Sequence, residues 1–113
     1  MENKKRIYIA SPYTFGDTGM NVRNQILTGH KLMKLGFFPY IPELYHFVHM
    51  ICPLTYDEVM DLDLAWLECC DCVLRLPGKS KGADIEVEHA LKNNIKVFYS
   101  IDEIVDFYSE SKR

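Results

Sequence analysis

The sequence predicts an α/β fold: a three-layer Rossmann-like (flavodoxin-like) domain with a parallel sheet of four to five strands. Two observations carry the prediction. Short apolar runs alternate with longer stretches of helical period, the pattern of a parallel sheet covered by helices. At 113 residues, 48% hydrophobic and 26% charged, the chain suits one compact domain over residues 1–113, without repeats or biased stretches.

The first strand is expected at residues 6–10, Arg6-Ile7-Tyr8-Ile9-Ala10. A helix over about 21–35 follows, with Val22, Ile26, Gly29 and Met33 on one face and Gly36 just past its end, a common place for glycine. The second strand falls at 37–41. Residues 42–54 read as an irregular segment holding two prolines, His46 and His49, and so long a loop in a small domain is commonly functional. Thr55 and Glu58 form the T-x-x-E capping box of a helix running to about residue 69. The third strand is 70–76. After Gly78-Lys79-Ser80-Lys81-Gly82 comes a helix to 93 or 94, then a fourth strand at 96–99 and a last helix at about 101–108.

A formal charge of −3 offers no basic face for a nucleic-acid polymer. The first apolar run, Ile7 to Ala10, is too short for a signal peptide or a membrane span, so no membrane is expected and the location expected is cytoplasmic. Cys52, Cys69, Cys70 and Cys72 read as buried reduced thiols. No second CxxC pair or spaced histidine pair completes a zinc site, and no metal site is expected.

Two carboxylates sit badly with a plain core. On a helical wheel Val59, Leu62, Trp66, Cys69 and Cys70 share one face of the 55–69 helix, with Asp63 inside that stripe and Asp61 and Glu68 turned to water. A charged carboxylate on a core face is costly unless it is bonded. In the following helix Ala83, Val87, Ala90 and Leu91 face inward, with Glu86 at the border of that face, about one turn from the helix start. There the helix dipole favours its charge while burial opposes it. Tyr8 lies between Ile7 and Ile9 in a strand expected to be covered on both faces, where its hydroxyl needs a partner. Open parallel sheets collect ligands at the carboxyl ends of their strands, here residues 10–14, 42 onward and 77–82, and Glu86 is expected close to those ends.

Taken with the opening Ile7-Tyr8-Ile9-Ala10-Ser11-Pro12-Tyr13, the stretch Asp63-Leu64-Ala65-Trp66-Leu67 and the pattern Ser80-x-Gly82-x-x-x-Glu86-x-x-x-Ala90, these residues resemble the nucleoside 2-deoxyribosyltransferase-like superfamily. That superfamily includes the 2'-deoxynucleoside 5'-monophosphate N-glycosidases. The resemblance implies a small-molecule nucleoside or nucleotide substrate, Glu86 as nucleophile, Asp63 as the acid near base and sugar, and Tyr8 as the residue orienting the nucleophile. It places Ser80 where the monophosphate hydrolases bind phosphate. Gly82, Ser11, Tyr13 and His46 are the other substrate-binding candidates, with Phe15 a further stacking or lid residue.

The sequence also departs from the pattern. The hydrolases' glycine-rich loop with its phosphate arginine is replaced by Ser11-Pro12-Tyr13-Thr14, leaving Lys79, Lys81 or Arg23 as substitutes. Asp84 stands where glycine is usual, which puts the sugar contact in question. The expected activity is hydrolysis of the sugar–base bond of a (deoxy)nucleoside 5'-monophosphate. The alternatives are deoxyribosyl transfer between bases and a non-catalytic nucleotide-binding module. The chemistry requires no cofactor. The resemblance also implies a homodimer, for which Ile85 and His89, on the wheel opposite the buried side of their helix, offer a face.

Overall fold

An unbroken apolar run from Ile7 to Ala10 is what a strand covered on both faces requires. In the computed structural model of the chain, which describes residues 4–13 and 16–110, β1 (Arg6–Ala10) lies inside the sheet. It pairs in parallel with β2 (Phe38–Tyr40) on one side and β3 (Cys72–Arg75) on the other, and β3 pairs in parallel with β4 (Lys96–Phe98). The sheet is four-stranded in the order β2-β1-β3-β4, the parallel α/β architecture that the sequence predicts. Its strand order reverses between β1 and β3, which sets a crevice at their carboxyl ends.

Local chemistry fixes most helix ends. Asp17 caps α1 (Thr18–Lys34) by accepting from the Met20 N–H at 3.0 Å, so the helix starts earlier than its apolar period suggests. Gly36, at φ +96°, ends it in a Schellman turn: Phe37 N–H bonds Leu32 O and Gly36 N–H bonds Met33 O, each at 3.0 Å. The capping box of Thr55 and Glu58 is complete at the start of α3 (Tyr56–Leu67). Ser80 caps α4 (Lys81–Lys92), and α5 (Ile101–Glu110) closes the domain. No helix among the described residues is long and apolar enough to cross a membrane.

Several expectations are corrected. Residues 42–54 are not irregular throughout: a 3-10 helix (Pro42–Tyr45) leads into a short α2 (His46–Ile51). On α1 the buried residues are Gln25, Gly29 and Leu32, while Ile26 and Met33 are exposed, because a polar side chain holds the centre of the face. On α3 the buried pair is Asp63 and Leu67; Trp66 is half exposed and Cys69 exposed. Leu91 is exposed, and Glu86 lies at the middle of the buried face of α4 rather than at its border. The four cysteines are free thiols, but only Cys72 is buried, with Cys70 half-buried and Cys52 and Cys69 exposed. His89 lies 2.7 Å from Glu68 and joins α4 to α3.

Strand alternation sorts the core into two layers. Ile7, Ile9, Cys72 and Leu74 pack with Leu32 of α1 and Ile104 of α5. Tyr8, Ala10 and Val73 turn to the other face, against Leu67 of α3 and Ala83 and Ala90 of α4.

Candidate active site

On α4, Ala83, Glu86 and Ala90 recur at helical spacing, and the two alanines let the helix approach the sheet closely. Glu86 is thereby brought onto the strand residue facing it. Tyr8, fully buried in β1, donates its hydroxyl to Glu86 Oε2 at 2.6 Å, across 78 positions of sequence. That length is typical of a charge-assisted bond. Glu86 is 3% exposed, and burial is the largest influence on its carboxyl, pushing it up to about 8. The Tyr8 bond and the Arg75 charge oppose that rise, while the Asp63 and Glu43 charges add to it. Tyr8 is itself raised, by burial first and then by the Glu86 and Asp63 charges, and so remains a proton donor.

Asp63 comes from α3 and is 4% exposed. Its Oδ1 is buried and has no hydrogen-bond partner among the described residues, which a stable core avoids. Burial pushes its carboxyl up to about 6. Glu43, in the first turn of the 3-10 helix, is a third acid in the same place; burial and then the Asp63 charge push it up to about 7. Three interacting carboxyl groups lose their protons as a set, so at neutral pH they share protons.

These acids line one cleft of about 860 Å³ at the carboxyl ends of β1, β2 and β3. Ser11, Tyr13, His46, Ser80 and Gly82 line it as well, so they meet there with Glu86 and Asp63, and Tyr8 is bonded beneath Glu86. Phe15 and Thr14 lie outside the described residues. At the rim the Tyr13 and His46 rings stand 5.3 Å apart, and His46 and His49 5.8 Å apart. His49 Nδ1 accepts from the Leu54 N–H at 2.8 Å, which leaves its Nε2 as the protonated nitrogen of the neutral ring.

Ser80 Oγ accepts from the Ala83 N–H at 3.1 Å, so the hydroxyl caps α4 and still has its own proton to donate. Lys79 and Lys81 flank it in the cleft wall; Arg23 is exposed on α1 and is not part of that wall. A side chain at Gly82 would meet nothing within 4 Å, so space is open beside this backbone. At Gly78, with φ +117°, a Cβ would come within 2.7 Å of Pro12, and the loop after β3 leans on the loop after β1 through that gap. Asp84 lies outside the cleft wall, its carboxylate turned to Arg75 at 3.0 Å, so the question it raised about the sugar contact takes a different form.

Sequence reading missed Glu43 and Gln25. Gln25, fully buried on α1, donates to Ser11 Oγ at 3.2 Å and to Pro12 O at 3.0 Å, and so fixes the loop after β1. Its signal was present in the i, i+4, i+7 spacing of Gln25, Gly29 and Leu32. Glu43 had no comparable signal, because a 3-10 turn leaves no period to read. Together the site offers a carboxylate held by a tyrosine, a second acid able to carry a proton, and a loop with hydroxyl and ammonium groups at a helix start. Such an arrangement suits attack on an electron-poor carbon with protonation of a leaving group.

A search among solved structures finds a 2-deoxyribosyltransferase from the psychrotolerant bacterium Bacillus psychrosaccharolyticus at 19% identity and a TM-score of 0.63, covering 81% of this chain and 69% of that one. The likeness shows a nucleoside 2-deoxyribosyltransferase-like fold. No curated protein matches the chain. The model of one domain family, described as Domain of unknown function (DUF7768), matches residues 5–100, and the chain belongs to that family.

Proposed function

We propose that the cleft cleaves the bond between base and sugar of a deoxynucleoside 5'-monophosphate. The observation that carries this reading is the buried Tyr8–Glu86 bond at the floor of a cleft that also holds the Asp63 oxygen left without a partner among the described residues. N-glycosidic cleavage passes through an oxocarbenium-like state, which needs negative charge beneath the anomeric carbon and a proton for the departing base.

With Tyr8 holding Oε2, the other Glu86 oxygen attacks the anomeric carbon as the carbon–nitrogen bond breaks and its electron pair leaves with the base. Asp63 gives that base its proton. Water then attacks the anomeric carbon, Asp63 takes a proton back, and the glycosyl–Glu86 ester is released. Ser80, with Lys79 and Lys81, meets the 5'-phosphate. Taking a second base in place of water turns hydrolysis into deoxyribosyl transfer, the reaction in the name of the structural relative.

The test is a panel of nucleosides and monophosphates incubated with the protein and followed by release of free base. Release from deoxynucleoside monophosphates is expected, with a loss of about a thousandfold or more in Glu86→Ala. No release from any of them, or full activity in the variant, overturns the reading. The productive state has Glu86 ionised and Asp63 protonated, the reverse of the order that burial sets, so it is the minor partner among the partly ionised forms of the cluster. The rate therefore falls when the cluster is fully protonated and again when it is fully ionised, giving a bell with limbs near about 6 and about 8.

A further inference from the structure

Asp84 is the residue the proposed chemistry leaves without a task, and its partner Arg75 is a mostly buried cation, its side chain 11% exposed, at the end of β3. The guanidinium reaches three points of the segment that follows. It donates to Leu76 O at the start of the turn, to Gly78 O at 2.9 Å at its apex, and to Asp84 Oδ1 at 3.0 Å in the first turn of α4. On its other side the same turn rests on Pro12, with no room for a side chain at Gly78. One planar fork thus ties strand, turn and helix together in a fixed geometry that the rotating ammonium of a lysine does not impose.

We propose that Arg75 and Asp84 are a positioning pair: the guanidinium fastens the turn after β3 to the first turn of α4 and so holds Ser80 and Gly82 at the edge of the cleft. The pair sits on the side of α4 away from the cleft, and it acts on the site through the helix start. Ser80 O accepts from the Asp84 N–H at 3.0 Å while Ser80 Oγ accepts from Ala83, so any movement of Asp84 moves the serine.

A second effect is electrostatic. The groups that bear on Glu86 are Tyr8 from β1, Glu43 from the 3-10 helix, Asp63 from α3 and Arg75 from β3, with Lys79 and Lys81 in the same cleft wall. Arg75 is the cation that eases ionisation of Glu86, and Asp84 offsets part of its charge. The inference leans on the proposed function for its consequence in turnover, but not for its test.

That test follows the titration of the Glu86 carboxyl carbon by NMR, and amide exchange at Ala83 and Asp84, in the wild type and three variants. Asp84→Asn leaves the Arg75 charge unopposed and is expected to move the Glu86 titration to lower pH by roughly half a unit. Arg75→Met is expected to move it to higher pH and to speed exchange at both amides about tenfold, as local opening becomes easier. Arg75→Lys, which keeps the charge without the fork, should restore the titration but not the amide protection. A Glu86 titration at the same pH in all four proteins, or unchanged amide protection in Arg75→Met, overturns the inference. Neither readout needs turnover. A wild type that releases no base but shows these shifts would refute the proposed function and leave the positioning pair standing.

Discussion

On the face of the sheet covered by α1 and α5, Ile7, Ile9, Leu32, Leu74 and Ile104 are fully buried and all apolar. On the face covered by α3 and α4 the strands present Tyr8, Ala10 and Val73, and the helices present Ala83 and Ala90 together with Asp63 and Glu86. Both faces come from the same strands, one residue out of step. The first is filled mainly by branched side chains, with Gln25 of α1 a buried exception bonded to the loop after β1, and it gains its stability from area removed from water. The second uses small residues to bring a helix close, and into the space it places acids whose burial disfavours their charge. The difference assigns stability to one face and chemistry to the other.

The largest stability effect should come from breaking the apolar face. Ile9→Ala is expected to cost about 3 kcal/mol in urea denaturation, since the cavity would lie among fully buried neighbours. A cost below about 1 kcal/mol would mean that this face is looser than its burial indicates. The acidic face should respond in the opposite sense. Burial holds Glu86, Glu43 and Asp63 above the usual carboxyl range near 4, so folding favours their protonated forms. Their contribution is fully present below about pH 4 and is lost as pH rises through about 6, 7 and 8. Glu86→Gln, neutral at every pH, should therefore raise the melting temperature at pH 8 by about 5 °C and change it little at pH 5. An unchanged or lower melting temperature at pH 8 would show that the acid is not strained by its burial. The smallest effect is expected at Met33, which is 62% exposed: Met33→Gln should stay within about 0.5 kcal/mol, and a larger loss would place this residue in the core after all.

Much of this division was legible in the sequence. The apolar run of β1, the Thr55–Glu58 box and Gly36 marked their elements because each signal is local, set by residues within one or two turns. Asp63 and Glu86 stood out for the same reason, as charges on, and at the border of, faces that the period turns inward. The wheel erred where a polar residue held the centre of a face. Gln25 displaced Ile26 and Met33 from the core of α1 because its amide had a loop to bind, and that loop is distant along the chain.

By itself, then, the sequence determined the order of elements, the alternation that separates Tyr8 from Ile9, and the presence of two acids that a plain core would not keep. Only the tertiary structure decided that Tyr8 bonds Glu86, that Glu43 joins Asp63 in one cleft, and that Asp84 turns outward to Arg75. The reason is physical. Periodicity and capping depend on neighbours a few residues apart, whereas hydrogen bonds between side chains depend on the packing of strands and helices that no local pattern specifies.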